Sequence, residues 1–255
     1  MTGRLYVIGV GPGDPELLTM KAVRILKTVN CICVPKGREE GSSLALSIVK
    51  KALNLDGKEI IEAYFPMRKT KRQYQSIRVS ECQRKTDASR SLDCELNSMW
   101  QQTVETVLSR LSKGTNVVFI TLGDPAVYST FFYLFDSLLE LNPALNIEII
   151  PGVSSINASA AAAKISLGLA DEKIAILPVN YIDDLAKTLM NFDSVVLMKV
   201  HKVFNDIRKT LNEMNLLDNA VYIARAGMED EKIFKDIRDV KEKDLNYFSM
   251  VIVRK

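Results

Sequence analysis

Three short segments each break an apolar strand-like run into a turn that leads toward a helix: Gly9-Val-Gly-Pro-Gly-Asp-Pro15, Gly123-Asp-Pro-Ala-Val-Tyr128 and Pro151-Gly-Val-Ser-Ser155. A strand that turns sharply into a helix leaves unpaired backbone N–H groups at one rim of a sheet, where a polar ligand can lie. Around these segments, apolar runs of strand length alternate with stretches of helical periodicity. Leu5–Val10, Asn30–Pro35, Glu59–Tyr64, Asn116–Leu122 and Asn146–Ile150 read as strands. Pro15–Val29, Ser42–Leu53, Trp100–Leu111 and Tyr128–Leu141 read as helices, the first with Asp14 as N-cap and Pro15 at N1. Such alternation predicts a parallel α/β sheet.

Beyond Pro151 the pattern changes. An Ala-rich helix over Ser154–Lys164 precedes strands at Ile174–Val179, Ser194–Val200, Ala220–Ala226, Ile233–Arg238 and Phe248–Val253. Only two further helices, Ile182–Phe192 and Val203–Met214, separate them. The last strands lie too close together for crossover helices, which predicts antiparallel pairs. The expected fold is therefore α/β, with two α/β domains: residues 1–152 with a parallel sheet, carrying an insertion at about 69–98, and residues 153–255 with a mixed sheet. The cleft between two such domains is the default ligand site.

Composition narrows the function classes. The 255 residues are 47% hydrophobic and carry a formal net charge of +3, yet Arg68 to Arg90 holds eight basic residues against Glu81 and Asp87. That uneven distribution favours local handling of anions over a general nucleic-acid surface, and a solvated loop explains it equally well. Cys31, Cys33, Cys82 and Cys94 form no paired CxxC units, so no metal site is expected and a reduced, cytoplasmic chain is. On a strand, Cys31 and Cys33 would share one face and pack as small apolar residues. No run of about 18 apolar residues occurs, so no membrane span is expected.

The glycine segments fail the common nucleotide fingerprints. A dinucleotide GxGxxG pattern would need glycine where Asp14 stands, and a P-loop would need Gly-Lys-Ser/Thr where Leu17 and Leu18 stand. Asp124 suits either an N-cap of a helix beginning at Pro125 or a ligand contact, and Ser154 and Ser155 carry the same ambiguity. His201, the sole histidine, has no nucleophile signature near it and reads as a surface or strand-end residue.

Taken in order and at their spacing, Gly-Val-Gly-Pro-Gly-Asp-Pro-Glu-Leu-Leu-Thr, Leu-Gly-Asp-Pro-Ala-Val-Tyr-Ser and Pro-Gly-Val-Ser-Ser resemble the tetrapyrrole methyltransferase family, over essentially the whole chain. Phe65-Pro-Met67, Trp100, Leu197-Met-Lys199 and Ala224-Arg-Ala-Gly-Met228 look most like members that methylate precorrin-2 or cobalt-precorrin-2 at C-20. The resemblance implies S-adenosylmethionine as methyl donor in the interdomain cleft, a tetrapyrrole substrate, and a homodimer with neither nucleic-acid nor membrane partner. It carries cofactor roles to Pro12, Gly123, Asp124, Val127, Ser154, Ser155, Met198 and Ala226. Gly11, at the rim where the macrocycle approaches, and the cations Lys36, Arg38, Arg68 and Lys69 are the expected substrate contacts. No residue stands out as the proton acceptor, and in-line methyl transfer needs little acid–base help.

Overall fold

Strand β1 (Leu5–Gly9) sends its side chains alternately to two buried faces, Ile8 to one and Leu5 and Val7 to the other. A strand buried on both sides needs covering layers on both, which is what the computed structural model contains. It describes residues 2–37, 43–65, 89–179 and 184–255, with the backbone alone over 89–98. β1 is joined by β2 (Cys31–Lys36), β3 (Glu59–Tyr64), β4 (Val117–Thr121) and β5 (Ile147–Ile150) in a sheet of order β3-β2-β4-β1-β5, parallel throughout.

Helices α1 (Met20–Thr28) and α2 (Leu44–Ala52) bury Ala22, Ile25, Leu26, Ala45, Ile48 and Val49 against Ile8, Ile32, Val34, Val118 and Ile120. On the opposite face, α3 (Ser89–Ser112) and α4 (Phe132–Leu141) bury Val104, Val107, Leu111, Leu134 and Leu138 against Leu5, Val7, Val117 and Phe119. Cys31 and Cys33 lie on this second face, fully buried, as expected for small apolar residues. Burial holds the Cys31 thiol at about 11, so it stays protonated.

Helix starts differ from the sequence expectation for an identifiable reason. Pro15–Leu17 forms a single 3-10 turn, and α1 begins only after Thr19, whose hydroxyl accepts the Ala22 N–H at 3.2 Å. Asp14 is thus not the N-cap of a helix. Similarly, the helix expected from Tyr128 begins at Phe132, because Tyr128 takes a left-handed φ of 54° and Ser129 Oγ accepts the Phe131 N–H. A local hydroxyl that satisfies an early N–H sets where helical hydrogen bonding starts.

The second sheet has the order β6-β7-β10-β8-β9, built from β6 (Ile174–Pro178), β7 (Ser194–Met198), β8 (Ala220–Ala224), β9 (Lys232–Phe234) and β10 (Ser249–Arg254). β6 and β7 are parallel, and the other three pairings are antiparallel. The last strand inserts between β7 and β8. Helix α5 (Ser155–Ala163) packs against β8, while α6 (Leu185–Asn191) and α7 (Phe204–Glu213) cover Val195, Leu197, Tyr222, Val251 and Val253 on the other face. The strand expected at Ile233–Arg238 stops at Phe234, since Asp236 caps a 3-10 turn over Ile237–Asp239. Two compact units result: Met1–Gly11 with Pro15–Val153, and Pro12–Asp14 with Ser154–Lys255.

One polar link in the second unit gives a pH test. Buried Asp244 accepts from Lys232 Nζ at 2.8 Å and from the Lys241 N–H at 3.2 Å, and the lysine holds its carboxyl below the usual range. A carboxyl depressed in the folded state stabilises above its unfolded pKa of about 4 and loses that contribution as pH falls through the folded value. Asp244→Asn should therefore melt below the wild type at pH 7, and the gap should close as thermal scans descend below pH 4.

Candidate functional site

In the first unit the site grows out of topology. β1 leads into α1 on one face, whereas its neighbour β4 leads into α4 on the other. Adjacent strands whose connections leave to opposite faces open a crevice at their carboxyl ends, the usual ligand position in a parallel sheet. The turns after β1, β4 and β5 occupy those ends.

Their backbones touch. A Cβ at Gly9 would lie 2.5 Å from Gly123 O and 2.7 Å from Gly152 N, and one at Gly152 would lie 2.4 Å from Gly123 O and 2.7 Å from Gly9 C. Gly11 and Gly123 form an antiparallel bridge, Gly123 N–H donating to Gly11 O at 2.8 Å and Gly11 N–H to Gly123 O at 3.3 Å. Gly11 and Gly123 both have positive φ, 78° and 69°. Gly11, an expected substrate contact, thus has its N–H and carbonyl engaged by Gly123.

Asp124 joins two of these turns. Its Oδ1 accepts the Ala126 N–H at 2.8 Å and its Oδ2 the Gly152 N–H at 3.0 Å. No helix starts at Pro125, so the N-cap role does not apply; the carboxylate closes its own turn and holds the turn after β5. Val127 follows, half-buried, its N–H bonded to Asp124 O, and Tyr128 stands out exposed in left-handed backbone. Half-buried Lys36 ends β2 with its ammonium 2.8 Å from Glu62 Oε2, so an acidic ligand there competes with that carboxylate. Arg38, Arg68 and Lys69 lie outside the described residues, as does most of the 69–98 insertion.

In the second unit, Pro12–Asp14 pack against the turn after β8. A Cβ on Gly13 would lie 2.5 Å from Met228 Cγ and 2.6 Å from Gly227 O, and one on Gly227 would lie 3.1 Å from Pro12 Cγ. Ser154 is the N-cap of α5, its hydroxyl accepting the Ile156 N–H at 3.2 Å; Ser155 is the first helical residue. Met198 closes β7 opposite Met250, half-buried, and Ala226 is buried just past β8. The turn carrying Ala226 is fastened by Gly227 N–H donating to Glu231 Oε2 at 2.7 Å and by a bond from Arg225 to Asp230.

Sequence reasoning gave no sign of the backbone conformation at Lys199 and Tyr128. Both adopt left-handed backbone at strand-end turns, a property that residue type does not announce. His201 lies in the 3-10 turn Val200–Lys202, half-buried against Tyr247 rather than on the open surface. Among the described residues no group of three or more His, Cys, Asp or Glu could hold a metal, and no helix is long and apolar enough to cross a membrane.

Two α/β sheets with glycine-lined turns at strand ends define a small-molecule-binding class. The family model for tetrapyrrole (corrin/porphyrin) methylases matches residues 4–240, and the chain belongs to that family. It is 32% identical over 258 residues, all of this chain and 98% of the relative, to the cobalt-precorrin-2 C(20)-methyltransferase of Salmonella typhimurium. It is 34% identical, over 99% of this chain and 96% of the relative, to the probable cobalt-precorrin-2 C(20)-methyltransferase of Methanocaldococcus jannaschii. Among solved structures, a cobalt precorrin-4 methyltransferase superposes with a TM-score of 0.69 at 21% identity, covering 98% of this chain and 94% of that one. The uroporphyrin-III C-methyltransferase of Thermus thermophilus, complexed with S-adenosylhomocysteine, superposes with a TM-score of 0.60 at 21% identity, covering 99% and 92%.

Proposed function

We propose that this chain methylates precorrin-2 or cobalt-precorrin-2 at C-20, with S-adenosylmethionine as donor, on the route to the corrin ring of cobalamin. The observation that carries the reading is the end-to-end similarity to two C(20)-methyltransferases, together with the turns at Gly9–Gly11, Gly123–Asp124 and Gly152 meeting at the carboxyl ends of β1, β4 and β5.

The side chains offered suit an adenosyl amino acid. Val127 in the first unit, half-buried, and Met198 and buried Ala226 in the second are apolar, the character that contact with a purine requires. From the first unit the reading assigns Gly123, Asp124 and Val127 to the cofactor. From the second it assigns Pro12, Ser154, Ser155, Met198 and Ala226. When bound, S-adenosylmethionine supplies an electrophilic methyl group on a sulfonium. The protein's task is alignment: rigid turns fixed by glycine contacts and by Asp124 hold their ligands with little residual motion, which is where an in-line displacement gains most. Lys36, Arg38, Arg68 and Lys69 are assigned to the acidic periphery of the macrocycle. A cytoplasmic homodimer without nucleic-acid partners completes the proposal.

Incubating purified protein with S-adenosylmethionine and either precorrin-2 or cobalt-precorrin-2 should add the mass of one methyl group to the macrocycle, with labelled carbon at C-20. Methylation only of uroporphyrinogen III or of a later corrin intermediate would move the chain to another branch of the family. The rate ratio between metal-free and cobalt forms assigns the natural substrate.

A further inference from the structure

At the carboxyl end of the first sheet, helix and strand ends are tied together around a set of aromatic rings. Trp100 Nε1 donates to the carbonyl of Tyr64, the last residue of β3, at 3.2 Å, while farther along α3 Arg110 forks onto Glu59, the first residue of β3, at 2.8 to 3.1 Å. Helix α3 therefore runs antiparallel to β3 and sets Trp100 at the carboxyl rim. Phe65, one residue past β3, donates its N–H at 2.7 Å to the carbonyl of Lys36, the last residue of β2. Tyr133 reaches the same rim from β4. It lies in the first turn of α4, its N–H bonded to Thr130 O, and the loop leading to it is fixed to the last residue of β4 by Ser129 Oγ donating to Thr121 Oγ1 at 3.1 Å. That loop also contains the Gly123–Asp124 turn, so one connection carries both the turn and Tyr133.

The rings differ in what they present. Phe65 meets Phe119 edge-on at 86° and Phe119 meets Phe131 at 54°, all three buried, the mixed angles of a packed core. Trp100 and Tyr133 instead stack, with 5.4 Å between centroids and 14° between planes; Trp100 is half-buried against Phe65 and Tyr133 is 42% exposed. A ring laid flat on another keeps its orientation and leaves its second face as a flat apolar surface, whereas an edge-on ring would offer only a rim. Core packing explains Phe65, Phe119 and Phe131. It does not call for a rigid flat surface at the end of the sheet where ligands lie. We propose that Tyr133, backed by Trp100, is a substrate-binding residue that stacks on the face of the tetrapyrrole macrocycle, with Trp100 as its positioning residue. The proposal rests on the methyltransferase reading and adds a contact to the ring face, where Lys36 is assigned to the acidic edge. A stacked pair is ordered before the ligand arrives, so little rotamer freedom is lost on binding.

Tyr133→Leu keeps an apolar, helix-suited side chain and removes the ring; Tyr133→Met repeats the test should the first variant fold poorly. The expected result is a macrocycle KM raised about fivefold or more, with kcat near the wild-type value, because a contact made equally in ground and transition states moves KM alone. Tyr133→Phe should restore the wild-type KM, and S-adenosylhomocysteine affinity by calorimetry should be the same in every form. Phe132→Leu is the control, since Phe132 is equally exposed on the same helix but packs on Phe131 and Phe135, and its KM should not change. Trp100 is the one tryptophan of the chain, so quenching of its emission titrates cobalt-precorrin-2 binding without turnover. Wild-type KM in Tyr133→Leu, or an equal rise in Phe132→Leu, would overturn the proposal. So would weakened S-adenosylhomocysteine binding with macrocycle KM unchanged, which gives the ring to the cofactor. A wild-type protein that methylates neither precorrin-2 nor its cobalt form would instead defeat the methyltransferase reading. The quenching titration then judges Tyr133 alone, and equal cobalt-precorrin-2 affinity in wild type and Tyr133→Leu, or binding by neither, overturns its role.

Discussion

Gly152→Ala should destabilise the first unit by about 3 kcal/mol or more, lowering its melting temperature by about 6–12 °C. The added methyl would sit 2.4 Å from Gly123 O and 2.7 Å from both C and O of Gly9. Backbone atoms cannot swing aside as a flexible side chain can, so relief requires prising apart the turns after β1, β4 and β5. Those turns are tied by the Gly11–Gly123 bridge and by Asp124, so movement at one disturbs the others. Gly57→Ala is the control: φ is +76° and nothing lies within 4 Å, so only the left-handed penalty of about 1–2 kcal/mol applies. Thermal melts of both variants, with hydrogen exchange on β1, β4 and β5 to localise the loss, check the result. A Gly152→Ala protein melting within 1 °C of the wild type would show that the turns are not mutually locked.

What the sequence could and could not reveal follows from the range of each interaction. Alternating strands and helices, and the shift to antiparallel pairing after Pro151, were legible because hydrophobic periodicity and connection length are local properties. Thr19 and Ser129 moved two helix starts because several hydroxyls compete for the same early N–H groups, and only the folded turn decides among them. Insertion of β10 between β7 and β8 depends on pairing across more than twenty residues on either side, which no local pattern encodes.

The site divides in the same way. Gly9, Gly123 and Gly152 were visible as turn residues, but their mutual contact joins strands adjacent in space and far apart in the chain. Either partner of Asp124 was conceivable from sequence, a following N–H or a ligand; the long-range bond to Gly152 was not. Lys199 stood inside a recognisable Leu-Met-Lys string, yet its left-handed backbone is set by the pairing of β7 with β10 and by the turn that follows.

Asp124→Ala should weaken S-adenosylhomocysteine binding about tenfold or more, equivalent to about 1.4 kcal/mol. Each carboxylate oxygen accepts one backbone N–H, and bonds to a charged acceptor are worth about 1.5–3 kcal/mol apiece when dry. Asp124 is only half-buried, so water recovers part of that and a stability loss of about 2 kcal/mol is expected. Loss of the Gly152 bond frees the turn after β5, while loss of the Ala126 bond loosens the turn that presents Val127. Asp124→Asn should fall between, since its amide can accept from one N–H but faces the other with a donor. Asn142→Ala provides the comparison, because Asn142 Oδ1 closes a similar turn onto the Ala144 N–H at 3.2 Å without reaching a second loop. Calorimetry on the three variants decides the matter. Affinity within twofold of the wild type in Asp124→Ala, alongside a lowered melting temperature, would confine Asp124 to holding the turns and remove it from the cofactor's contacts.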